Sequence, residues 1–208
     1  MKTDWKSKLH RTIDRDKPIE SQLDALSQYD TITDEELSEI ADTCFKSAEA
    51  AVLLQYLGFE RVRAHALQFL EFLQDCNWPA VGGTAQMFVE AGREALPSIK
   101  QVLKGDDYIW NWCILRNIVL EFETDIVLEL KEDLIDLIQR ADGEGAASVA
   151  LRILYEKQLV TEEESTYYYH YLLDKFVERS KENKFTSDSI NWLLDEIEFV
   201  PKPNNHSS

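Results

Sequence analysis

Phe72-Leu-Gln-Asp-Cys-Asn-Trp-Pro-Ala-Val81 decides the reading of the fold, because a helical apolar pattern stops there, turns on Asp75 and Asn77, and restarts behind Trp78-Pro79. The figure returns 32 residues later, where Asp107-Tyr-Ile-Trp110 repeats the Asp-x-x-Trp of Asp75-Cys-Asn-Trp78. Asp142-Gly-Glu-Gly145 stands 35 residues beyond that as a degenerate third turn. Recurrence at such a period marks stacked helical hairpins, none of which can bury its apolar face alone.

Working outward, Val62, Ala66, Phe69, Leu70 and Leu73 keep helical spacing into the turn, and Val81, Ala85, Phe88 and Val89 make the core face beyond it, which Gly92 stops. Asn77 is a good N-cap, and Pro79 suits a first helical turn, where its missing N–H has no partner to lose. A second unit runs from Glu94-Ala-Leu-Pro97 through Gly105-Asp-Asp107 into a helix over 108–122. On that helix Trp110 and Trp112 cannot face the same way, so one is expected in the core. A third unit places Ile126, Leu130, Leu134, Leu137 and Ile138 before the break at 141–145, and Ala146, Val149, Ala150, Ile153 and Leu154 after it.

Toward the N-terminus, Thr33-Asp-Glu-Glu36 has the pattern of a capping box. It opens a stripe of Leu37, Ile40, Ala41, Cys44, Phe45 and Ala48. The helix resuming at Ala50 is expected to end at Gly58. Thr161-Glu-Glu-Glu164 repeats the capping box ahead of a long helix carrying Tyr169, Leu172, Leu173, Phe176 and Val177, with a short closing helix over 190–197. No alternating run with turn signals occurs, so the chain reads as all-α. The expected architecture is a short α-solenoid of HEAT-like antiparallel helix pairs with helical caps at both ends. Residues 1–32 form an N-terminal arm or first helix, 33–199 the helical-repeat domain (repeat core about 50–157, C-terminal cap 160–199), and 200–208 a disordered tail.

Ala50 to Tyr155 looks like HEAT-type repeats in a short form, on Leu96-Pro97, Gly105-Asp-Asp107 and the helix over 109–118. More narrowly, Leu73-Gln-Asp-Cys-Asn-Trp-Pro79 followed by Gly92 to Leu103 and Asp106-Asp-Tyr-Ile-Trp110 resembles an uncharacterised bacterial HEAT-like domain family of unknown function. The resemblance implies an α-solenoid and brings no catalytic residue with it. The flanks depart from the family pattern, and the spacing is shorter than the roughly 40 residues of standard HEAT units.

The formal net charge is −17, and because residues 1–19 carry six Lys/Arg against three Asp/Glu, the remaining 189 carry −20. Such a surface repels phosphate backbones, which excludes nucleic acid as the expected ligand and favours a basic protein partner. Acidity also serves solubility alone. Met1-Lys-Thr-Asp-Trp-Lys lacks the apolar run of a signal peptide, and no apolar stretch approaches the roughly 18 residues of a membrane span, so no membrane role and a cytoplasmic location are expected. Cys44, Cys76 and Cys113 are far apart within apolar patterns and read as small buried hydrophobes.

His10, His65, His170 and His206 lack the company of a metal site, and no phosphate loop, dinucleotide fingerprint or nucleophile elbow occurs, so no metal, cofactor or catalytic residue is expected. Asp106 and Asp107 lie at the mouth of a repeat beside Tyr108 and Trp110, where Asp107 also fits an N-cap. Gly82-Gly83 inside a helix costs roughly 2 kcal/mol against alanine, which close helix packing or the approach of a partner beside Trp78 has to offset. Trp78, Trp110, Trp112 and the run Tyr167-Tyr-Tyr169 supply rigid rings of the kind enriched at interfaces. At least one of those three tyrosines must be exposed.

The expected function is therefore a non-catalytic protein-binding module using Trp78, Gly82, Asp106, Asp107, Trp112 and Arg116, one concrete form being an immunity-type neutraliser of a cationic toxin. The alternatives are a HEAT-like nucleic-acid base-processing enzyme, which the charge disfavours, and a structural, self-associating helical protein.

Overall fold

The computed structural model describes residues 3–141 and 145–181, together with Asp195 and Ile197. Twelve α-helices and no strand occur among them. The turn at 142–144, most of the closing helix over 190–197, the tail and His206 lie outside the described residues. The chain divides into two compact units, Met1–Val102 and Leu103–Ser208.

The first unit opens with α1 (Trp5–Thr12), whose Trp5 and Leu9, with Ile13 just beyond, are buried against the rest of the unit. The first residues therefore form a docked helix, packed on α3 (Asp34–Thr43) and α4 (Ala48–Val62), and Trp5 Nε1 donates to Glu39 at 3.0 Å. Between them runs the short α2 (Leu23–Leu26). Buried Gln22 ties the preceding loop by donating to the Asp14 and Lys17 carbonyls and accepting from the Asp14 N–H. Thr33 and Glu36 form the expected capping box at the start of α3. That helix ends at Thr43, so Phe45 leaves the apolar stripe on which helical spacing had placed it and stands 36% exposed.

α4 is the spine of this unit and packs most extensively on α6 (Val81–Ala91). The intervening α5 (Ala66–Leu70) is short and leans on α3, continuing into a 3₁₀ turn over 71–73. Phe59 and Phe88 meet edge to face at 5.6 Å, as do Phe69 and Phe72 at 5.5 Å. α7 (Leu96–Leu103) closes the unit.

In the second unit α11 (Ala146–Glu156) buries nearly its whole circumference, including Ala146, Ala147, Ser148 and Ala150. A helix buried all round belongs at a core centre. It packs on α8 (Tyr108–Asn117), α10 (Lys131–Arg140) and α12 (Glu162–Lys181). The helix expected from 124 is interrupted into α9 (Thr124–Leu128) and α10, with Leu130 buried between them. Thr161 and Glu164 exchange the expected capping bonds at the start of α12.

Gly58 breaks α4 where the sequence places a helix end, adopting φ 71° and ψ 163°. Side-chain-bearing residues almost never enter that region, which costs on the order of 1–3 kcal/mol. A β-carbon at Gly58 would meet nothing within 4 Å, so the cost is confined to the backbone. Gly58→Ala should lower the melting temperature by several degrees without changing helix content. A calorimetric scan with no shift would show that the break needs no glycine.

Candidate functional site

Two groups of candidate residues stand in the two units. In the first, Asp75 accepts from Asn77 through both its N–H (2.9 Å) and its side-chain amide (3.1 Å). The Trp78 N–H donates to the Asp75 carbonyl and Val81 N–H to the Trp78 carbonyl. Asn77 is thus spent on the turn and does not cap α6, whose N-cap is Ala80 with no side-chain bond. Trp78, half-buried on this turn, packs against Phe45 at 5.2 Å, and Lys46 Nζ lies 4.6 Å from the Trp78 ring centre.

The glycine pair separates by role. At Gly83 a β-carbon would stand 3.0 Å from Ala51 Cβ and 3.3 Å from Gln55 Oε1, so this glycine admits α4. Gly82 is exposed with nothing within 4 Å of that position, leaving the helix surface open there.

In the second unit the turn before α8 is pinned from two sides. Arg140 donates to the Gly105 carbonyl at 2.9 Å and to that of Leu103, while buried Asn111 donates to Gly105 at 3.1 Å. Asp107 caps α8 by accepting from the Trp110 N–H at 3.0 Å, and Asp106 is 92% exposed. Trp112 and Arg116, one turn apart, stack with the guanidinium 5.1 Å from the ring centre. Both Trp110 and Trp112 are half-buried, and the core position between them falls to Asn111, against the expectation that one tryptophan would fill it. Asp107, the N-cap, and Arg116 are nine residues apart along this helix, about 14 Å at its 1.5 Å rise, so the candidates of this unit form an end and a flank of α8 rather than one cluster.

The exposed apolar groups of this unit were the less visible feature. Ile109 (49%), Leu128 (55%) and Tyr167 (65%) are the most exposed. Leu128 is signalled only by its absence from the stripe of α9 and α10. Tyr169 is buried, Tyr168 half-buried and Tyr167 outermost, as three consecutive helical tyrosines require. Tyr167 and Tyr168 meet edge to face at 5.4 Å. Burial first, then the nearby Glu164, Tyr167 and Glu132, raise the Tyr168 phenol above its ordinary pKa.

No group of three or more His, Cys, Asp or Glu among the described residues could hold a metal ion, and no helix among them is long and apolar enough to cross a membrane.

This chain, all-helical among its described residues, falls in a family of unassigned activity. Residues 44–154 match the Domain of unknown function (DUF5071), and since that stretch is more than half of the 208 residues, the chain belongs to this family. The matched span takes in Leu73 to Pro79, Gly92 to Leu103 and Asp106 to Trp110, the stretches that resemble an uncharacterised family of unknown function. No curated protein and no solved structure matches the chain.

The two glycines generate opposite expectations. Gly82→Ala should stabilise by about 0.5–1 kcal/mol through helix propensity. Gly83→Ala should destabilise, because Ala51 belongs to a packed backbone that cannot yield cheaply. Chemical denaturation of both variants checks this, and equal shifts would show that neither glycine serves packing.

Proposed function

We propose that this protein is a non-catalytic, cytoplasmic protein-binding module of HEAT-like helical pairs whose acidic surface receives a basic partner. The reading is supported most by one observation: the second unit exposes its large apolar side chains beside carboxylates. Counted over the sequence, residues 103–208 carry 11 Lys/Arg against 22 Asp/Glu. Ile109 follows Asp106 and Asp107, both exposed, and Leu128 lies in a run where Glu121, Glu123 and Glu132 are exposed. Tyr167 stands one helical turn from Glu163, on the same face of α12.

An exposed ring beside a carboxylate offers a lysine or arginine both a cation–π face and an ion pair, each worth about 0.5–1 kcal/mol at a surface. Carboxylates without apolar groups would give encounter rate and little residence, and apolar groups alone would give no sign selectivity. Asp106, Asp107 and the Trp112–Arg116 stack on α8 contribute to this surface, and Trp78 with Gly82 supply a contact on the first unit. A neutraliser of a cationic toxin such as a nuclease is one concrete form, favoured by charge and compact helical build.

The test begins with purification of tagged protein at low salt and mass-spectrometric identification of what elutes as ionic strength rises. The partner found is then titrated against two variants, Asp106→Lys/Glu121→Lys/Glu123→Lys and Tyr167→Ala/Glu163→Lys. Loss of affinity by about tenfold or more (about 1.4 kcal/mol) in either, with helicity unchanged by circular dichroism, is the expected result. Wild-type affinity in both would remove the acidic surface from the function.

A further inference from the structure

The first unit holds a cleft of opposite character. Of about 850 Å³, it opens between α1 with the loop behind it and the segment entering α4, and its lining includes Lys6, His10, Arg11, Arg15, Lys46 and Glu49. The volume is that of a site for a small molecule. In a chain with 39 Asp/Glu against 22 Lys/Arg, four Lys/Arg meeting at one cleft set it apart from the rest of the surface.

The carboxylates of the lining are already engaged. Asp14 pairs with Lys17 at 3.0 Å and accepts from the Asp16 N–H, which hold it below the ordinary carboxylate range. Asp16 lies 4.0 Å from Arg15. Glu49, its side chain only 13% exposed, takes hydrogen bonds from Ser47 at 2.8 Å and shares one with His10 at 3.0 Å. Burial raises the Glu49 pKa, but the bonds from His10, its own N–H and Ser47 outweigh it and keep the carboxyl below its usual value. Glu49 is therefore spent on Ser47 and on His10 of α1, and it forms no ion pair with Lys6 or Arg11. Lys6 and Arg11, both exposed on the cleft side, form no ion pair among the described residues.

We propose that this cleft binds a multiply charged phosphate-type oxyanion, gripped by Lys6 and Arg11 on α1 with Arg15 and Lys46 closing from the loop and from the entry to α4. Arginine supplies a planar fork of donors suited to two phosphate oxygens, and lysine a mobile point charge. The ligand is free in solution, as a phosphate ester or diphosphate, or is the headgroup of an anionic lipid, since both present the same oxygens. The lining belongs wholly to the first unit, and the proposal does not depend on the role of residues 103–208.

Isothermal titration of the full chain with sodium pyrophosphate at low ionic strength tests it. Saturable one-site binding is expected, weakened at least tenfold in Lys6→Glu/Arg11→Glu and in the milder Lys6→Gln/Arg11→Gln, with both melting like the parent. Lys104→Glu/Lys181→Glu, a pair of exposed lysines that do not line the cleft, should bind as wild type. Absence of saturable binding, wild-type affinity in both α1 variants, or equal loss in the control pair overturns the proposal. Sedimentation with phosphatidylglycerol vesicles separates the sources. Retention that pyrophosphate abolishes identifies a headgroup in the cleft, and no retention identifies a free phosphate. Retention that pyrophosphate leaves intact overturns the cleft as a headgroup site.

Discussion

The close approach of α6 to α4 at Gly83 and Ala51 is the constraint on which the first unit depends. With no side chain on one helix and a single methyl on the other, the two backbones come near enough for Gln55 to lie within 3.3 Å of where a β-carbon would stand. That approach lets Phe88 reach Phe59 beyond the break at Gly58, and it makes α4 the element against which α1 and α6 both pack. Burial at a fixed distance does the rest: Ala50, Ala51, Leu53 and Leu54 are all removed from water. At about 25 cal/mol per Å² of apolar surface, their contribution far exceeds the roughly 1 kcal/mol that a helical glycine costs.

Local signals were the most legible part of the chain. Thr33 with Glu36, Thr161 with Glu164, Asp107 before α8 and Gly58 within α4 each act through partners at most four residues away, and each does in the structure what its sequence context requires. Features set by tertiary packing were not legible. Phe45 continues a perfect apolar stripe, yet α3 stops at Thr43 and the ring turns to Trp78 instead. On α8 the core position passes to Asn111, whose side-chain amide is satisfied there by the Gly105 carbonyl of the preceding turn, a partner that helical spacing does not reveal.

The repeated Asp-x-x-Trp shows why a sequence repeat need not be a repeat of geometry. At Asp107 the carboxylate accepts from the tryptophan N–H and a helix begins at once. At Asp75 the intervening Asn77 offers two donors and captures the carboxylate, so the Trp78 N–H falls to the Asp75 carbonyl and the helix waits until Val81. The same two residues at the same spacing therefore set one tryptophan within a helix and the other on an irregular turn. The residue between them decides the outcome. Of the candidate set, Trp112 and Arg116 stack because the i, i+4 spacing puts them on one face of α8, a pairing not read from the sequence, and the exposure of Gly82 beside a buried approach at Gly83 required the neighbouring helix.

Lys46 links two features that the sequence kept apart. Its ammonium lies over Trp78 and Phe45, at 4.6 and 5.6 Å, and the same residue lines the basic cleft. A lysine held over exposed rings gains about 0.5–1 kcal/mol, comparable to the entropy lost in fixing so flexible a side chain. It can turn toward an oxyanion in the cleft at little net cost, and in doing so it would uncover the face of Trp78. Rigid ion pairs such as Arg61 with Asp34 could not be shared in this way, since the planar fork of Arg61 is also committed to the Ile32 carbonyl. An oxyanion held in the proposed site would therefore compete with the two rings for the same lysine.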